Sequence, residues 1–150
     1  MELTFARPEP IDQIPELERG DRIKQDKDLA SIGSERFFVR AVLPLPVHDR
    51  DAPYNLGVWA EVTEAAFFRI LELWNDPGQE KEPAFPATLQ NRLPHLPETC
   101  DLPVTLHLTG PRTRPRLEVP PSDHPLHRQQ CKGVTAHVAH QYTLGRGASA

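Results

Sequence analysis

The sequence predicts an α+β domain with a mainly antiparallel sheet, one central helix and C-terminal helices packed on it. Three observations carry that reading. First, Gly57-Val58-Trp59-Ala60-Glu61-Val62-Thr63 alternates apolar and polar with period two, and Glu64 to Trp74 then repeats at about 3.6 residues, so a strand feeds a helix at Thr63. Second, further alternating runs stand on both sides of this unit. Third, the 17 prolines, spread from Pro8 to Pro125, break long helices and keep central strands short.

Each element follows in chain order. Residues 1–33 are polar and acidic, with six charges between Asp21 and Asp28, and are expected to be a loosely packed lead-in segment, partly ordered by contact with the body of the domain. The domain proper is placed at 34–144 and a disordered small-residue tail at 145–150. Arg36 to Leu43 predicts a strand whose apolar face holds Phe37, Val39, Ala41 and Leu43. Pro44 and Pro46 are expected to end it. His48 to Asn55 reads as a hairpin loop, and Gly57 to Val62 returns with Val58, Ala60 and Val62 on one face.

Thr63 predicts an N-cap, Glu64 suits the first helical turn, and Phe67, Ile70, Leu71 and Trp74 form the stripe. Asn75-Asp76-Pro77-Gly78 ends the helix. Strands are expected at 87–93, 102–109 and 114–119, with Leu102, Val104, Leu106, Leu108, Leu117 and Val119 inward. Ser122-Asp123-His124-Pro125 predicts a helix start with proline in the first turn and Asp123 as the cap; Gly133 ends that helix, and Thr135 caps another reaching about residue 143. The expected order is β-β-α-β-β-β-α-α.

Charge is uneven. Residues 1–35 hold nine acids against five bases, whereas the remainder is balanced, for a net charge of -4. That pattern speaks against a nucleic-acid partner. Arg112, Arg114 and Arg116 form the one basic spot, either a solvated strand face or a contact for an anion or acidic partner. Cys100 and Cys131 make no disulfide framework, the first 30 residues lack the apolar core of a signal peptide, and no run approaches the roughly 20 apolar residues of a membrane span. A cytoplasmic location without a membrane partner is expected; oligomeric state is not legible.

Chemistry-bearing motifs are sparse. His124/His127 and His137/His140 are i,i+3 pairs with Cys131 nearby, but the spacing matches no Cys/His zinc pattern, so no metal site and no cofactor is assigned. None of Ser31, Ser34, Ser122 and Ser149 lies in a nucleophile elbow. Neither cysteine carries a local nucleophile signature with His107 or His127. Trp74, on the helix stripe, reads as core. Trp59 shares its strand face with Glu61 and is expected to be partly exposed, where it either covers the sheet or lines a groove.

An ordered series of segments resembles a known family. Phe37-Phe38-Val39-Arg40, Pro46-Val47, Gly57-Val58-Trp59, Glu72-Leu73-Trp74-Asn75-Asp76-Pro77, Asn91-Arg92-Leu93-Pro94 and Asp123-His124-Pro125-Leu126, with Gln130, Gly133 and Thr135, are similar to the bacterial domain-of-unknown-function family 2199. The resemblance spans about residues 3 to 140. It implies a bacterial, cytoplasmic, single-domain protein and supplies neither an activity nor site residues. Many relatives begin with a Cys-x-x-Cys segment; no cysteine precedes Cys100 here, so the metal-linked role of such a segment is not expected.

Two functional readings follow. The first is a non-catalytic binding module for a protein partner, for instance an immunity or antitoxin-like protein that caps a basic toxin. The second is a small-ligand-binding protein or enzyme with a site drawn from Trp59, Arg92, His107, Arg114, Asp123 and His124. No catalytic signature favours an enzyme.

Overall fold

A computed structural model describes residues 2–148. The longest strands, β3 (Arg36–Leu45) and β4 (Tyr54–Val62), form the central hairpin, in register from Phe37↔Val62 to Leu45↔Tyr54. β5 (Phe85–Leu89), β6 (Pro103–His107) and β7 (Arg116–Glu118) continue the meander. Each consecutive pair is antiparallel. β7 then returns to β3 and pairs with it in parallel at Val42↔Arg116, closing a five-stranded barrel. The sheet is mainly antiparallel, as expected, but this one parallel pairing closes it into a mixed barrel, which the expectation did not contain. An odd number of up-and-down strands leaves the first and last running the same way, so their closure is parallel.

β3 divides its second edge. Arg40 N donates to Asp28 O at 2.8 Å and Val42 N to Pro115 O at 2.9 Å. Even-numbered amides of β3 therefore point away from β4. Pro44, which lacks an amide, sits in this alternation without costing a β4 hydrogen bond, so the strand runs through it to Leu45 rather than ending.

The odd-numbered side chains of β3 fill the barrel. Phe37, Val39, Ala41, Leu43 and Leu45 are buried with Leu56, Val58, Ala60, Leu89, Val104, Leu106 and Leu117. Helix α2 (Glu64–Leu73) covers one end, with Thr63 Oγ1 accepting from Ala66 N at 3.1 Å as its cap. Phe67, Ile70 and Leu73 face inward, and the Phe37 and Phe67 rings lie 4.9 Å apart. Leu71, assigned to the stripe, is exposed, because Leu73 and a half-buried Trp74 complete the i,i+3 row instead.

Helices α3 (Pro125–Lys132) and α4 (Ala136–Ala148) pack Leu126, Ala139 and Tyr142 on the same core. The α3 cap is His124, whose Nδ1 accepts from Leu126 N, and not Asp123. Gly133 ends α3 at φ 86°, where a Cβ would meet Pro46 O at 3.0 Å. α4 continues through the described part of the expected disordered tail to Ala148; Ser149 and Ala150 lie outside the described residues.

Residues 2–33 add to the sheet and core rather than leading loosely into them. β1 (Ile23–Gln25) pairs β2 (Leu29–Ile32), and β2 pairs the first half of β3. Upstream, Phe5 N donates to Gly57 O and Gly57 N to Leu3 O, both at 2.9 Å, beside β4. Helix α1 (Glu9–Asp12) brings Ile11 onto the outer barrel face. There Ile11, Ala30, Ile32, Phe38 and Trp59 make a second buried cluster. The charges of Asp21 to Asp28 hide these short strands in the sequence because only alternate residues of β2, Ala30 and Ile32, are buried.

Candidate functional site

The six residues proposed from the sequence do not gather in one cavity. Trp59 is fully buried, which corrects its expected exposure. Its cover comes from the N-terminal segment: Nε1 donates to Phe5 O at 3.1 Å, and the Arg40 guanidinium lies 5.4 Å from its ring centre. Arg92 lines a groove beside Phe5 and Arg7, whereas Arg114 lines a separate cleft. His107, on β6, is half-buried with Nε2 3.3 Å from Thr105 Oγ1. Asp123 is exposed at the start of α3.

Arg92 and His124 do meet, at Glu98. Arg92 Nε is 3.1 Å from Glu98 Oε2, and His124 Nε2 donates to the carbonyls of Pro97 and Glu98 at 3.2 Å each. With Nδ1 accepting from Leu126 N, both ring nitrogens of His124 are occupied by the main chain. The Cys100 amide and Arg92 hold the Glu98 carboxyl below its ordinary pKa. Cys100 itself is driven up to about 11 by burial and then by Glu98, so its thiol stays protonated at neutral pH. This corner ties a loop to a helix.

The other histidines are similarly engaged or scattered. His127 Nδ1 donates to Val119 O at 3.0 Å. Among the described residues, no group of three or more His, Cys, Asp or Glu side chains is placed to hold a metal.

A family model described as an uncharacterized protein conserved in bacteria, DUF2199, matches residues 1–134. The chain belongs to that family. No curated protein and no solved structure matches it. Several residues that carry the DUF2199 resemblance are committed to the fold. Asn91 is fully buried, its Oδ1 accepting from Trp59 N at 2.7 Å and its Nδ2 donating to Arg7 O at 3.0 Å. Gln130 accepts from Val119 N at 2.6 Å and donates to Leu117 O at 2.9 Å. Pro46 O accepts from Val134 N at 2.8 Å, next to Gly133. The Asn91 and Gln130 side chains are thereby spent on main-chain groups of the fold.

Two surface features remain in this DUF2199 chain, and both were half-legible. The first is the 3₁₀ turn Glu16–Glu18, where Leu17 is wholly exposed between two glutamates. The acidic bias of residues 1–35 pointed to this segment, but not to the protruding leucine. The second is the cleft of about 390 Å³ lined by Lys27, Trp74, Arg112 and Arg114. The arginine cluster was visible in the sequence; Lys27 and Trp74 were not linked to it. Arg116 departs from the cluster to sit 3.7 Å from Glu118 beside a different groove. Among the described residues no helix is long and apolar enough to cross a membrane.

Proposed function

We propose that this DUF2199 protein is a non-catalytic binding module whose partner is a protein with a basic surface around an apolar pocket. The observation that carries the reading is Leu17, wholly exposed at the middle of an acidic turn. A single exposed leucine is ordinary, so its setting decides the argument. Glu16 and Glu18 flank it and Asp21 follows, all exposed, with the exposed bases Arg22 and Lys24 only further along the chain. Among the described residues Arg19 forms no ion pair with them: its Nε donates to Ile14 O at 2.8 Å and its Nη2 lies 3.4 Å from Asp12 O, so its guanidinium folds back onto the main chain.

The turn is also held in place. Glu18 N donates to Pro15 O at 2.8 Å and Ile23 N to Arg19 O at 2.8 Å. A preformed turn loses little conformational freedom on docking. Acids around one apolar anchor suit a basic partner, with the charges steering encounter and the leucine supplying buried area. An immunity or antitoxin-like protein capping a basic toxin is one form of this reading.

The test is affinity capture of the tagged protein from its own cells with the native mass of the complex. A stoichiometric basic protein is expected, lost on Leu17→Asp and on the charge reversal Glu16→Lys with Glu18→Lys. These side chains lie outside both cores, so the variants keep the fold. A partner retained by both variants, or a chain recovered alone, overturns the proposal.

A further inference from the structure

Three cationic side chains that the acidic turn does not use converge on the 390 Å³ cleft. It lies between the β1–β2 turn, the end of β6, the β6–β7 loop and the segment after α2. Lys27, Arg112 and Arg114 supply its charge; Trp74 and Leu108 supply apolar wall. One buried side chain fixes its two sides together. Gln79 Oε1 accepts from Gly110 N at 3.0 Å, while its Nε2 donates to Leu73 O at 2.7 Å and Trp74 O at 3.1 Å. The loop bearing the arginines is thereby tied to the chain bearing the tryptophan.

The positive charge is largely unspent. Among the described residues Lys27 and Arg112 form no ion pair. Arg114 has a loose partner, with Nε 3.6 Å from Asp28 Oδ1. Asp28 is the acid among the lining residues, and Glu80 lies beside Gly110. Arg40 adds a further cation nearby: Nη2 donates to Phe5 O and Nη1 to Lys27 O, and its pKa is lowered by burial and then by Arg114. The larger groove of about 670 Å³ beside Phe5 differs on this point, since its Arg7 and Arg92 are each tied to an acid, Asp12 and Glu98.

We infer that this cleft binds a small anion carrying a planar ring, a nucleoside phosphate, with the phosphates on Lys27, Arg112 and Arg114 and the base against Trp74. Guanidinium groups recognise phosphate by paired, charge-assisted hydrogen bonds, and an indole wall favours an aromatic ring over bare phosphate. The volume lies in the range of small-molecule sites. The inference is independent of the acidic turn.

ADP is the probe, titrated calorimetrically and by tryptophan emission. Trp59 is sealed in the interior, so a ligand quenching Trp74 is read directly, and Trp74→Phe removes the quench. Saturable binding is expected, weakened at least about ten-fold by Lys27→Gln with Arg112→Asn. Asparagine tolerates the left-handed backbone at Arg112, φ 66°, so this double variant keeps the fold. No saturable signal at millimolar ADP, or an unchanged affinity in the double variant, overturns the inference. Inorganic pyrophosphate binding as tightly as ADP overturns the assignment of a ring to Trp74.

Discussion

The indole Nε1 of Trp59 donates to the main-chain oxygen of Phe5 at 3.1 Å, which joins the middle of the barrel to the first residues of the described chain. The bond closes the second core cluster, in which Trp59 and Phe38 are covered by the N-terminal segment, α1, β1 and β2, with Arg40 and Arg36 over their respective rings. What looked in the sequence like an exposed aromatic is an interior one.

Asn91 is a second tie in this arrangement, bonded to both Trp59 and Arg7. Replacing it with alanine leaves the buried Trp59 N without its acceptor and takes a donor from the half-buried Arg7 O. Asn91→Ala is expected to cost about 1–3 kcal/mol, chiefly the desolvation penalty of the buried Trp59 amide left unpaired. Urea unfolding followed by tryptophan emission measures it; a loss under about 0.5 kcal/mol contradicts the assignment.

Gly57 tests the docking of the N-terminal segment directly. A Cβ there would stand 2.9 Å from Thr4 Oγ1 and Cγ2. Gly57→Ala should push Leu3–Phe5 from β4, destabilise by about 1–3 kcal/mol and increase cleavage of the N-terminal segment in limited proteolysis. Combining it with Thr4→Gly should recover much of the loss, as a double-mutant cycle reads coupling between contacting residues. Simple additivity of the two changes would place the strain elsewhere.

Gln79 holds the cleft. Gln79→Ala strands the amide of Gly110 and the carbonyl of Trp74 and leaves the Leu73 carbonyl with Asp76 N alone, for an expected loss of about 1–3 kcal/mol. The change should also free the β6–β7 loop, seen as faster amide exchange at Gly110 to Arg114. Unaltered exchange there with intact stability would show that the loop is held by other contacts.

The two thiols should react at different rates. Burial and then Glu98 raise the Cys100 pKa to about 11, whereas Cys131 is exposed on α3. At about pH 8 the reactive thiolate of Cys100 is scarce, so a disulfide reagent should label Cys131 first, and Cys131→Ser should leave only the slow phase. Because the folded pKa of Cys100 lies above its unfolded value, its contribution to stability is complete below the ordinary thiol range and is lost as pH rises toward about 11. Equal labelling rates at about pH 8 would refute the ordering.

Local signals were readable because local physics sets them. The period change at Thr63, with its hydroxyl on Ala66 N, defines the start of α2 within four residues of chain. The alternation of Phe37, Val39, Ala41 and Leu43 chose the inward face of β3, and all four are buried. β1 and β2 were obscured by charge, because a short strand that buries two side chains carries little periodicity.

The sequence by itself determined the order β-β-α-β-β-β-α-α from β3 to α4, the cap of α2 and the sides of the central hairpin, since each depends on neighbours a few residues apart. Only the tertiary structure decided the rest. The parallel closure of β7 on β3 depends on the number of strands and their twist, not on any one segment. Trp59 is buried because Phe5, Ile11 and Ala30 arrive from far along the chain. Arg112 and Arg114 share a cleft with Lys27 and Trp74, while Arg116, two residues on, turns to another groove. Strand alternation separates near neighbours and the closed barrel brings distant ones together, which is why the surface features were the least legible part of this chain.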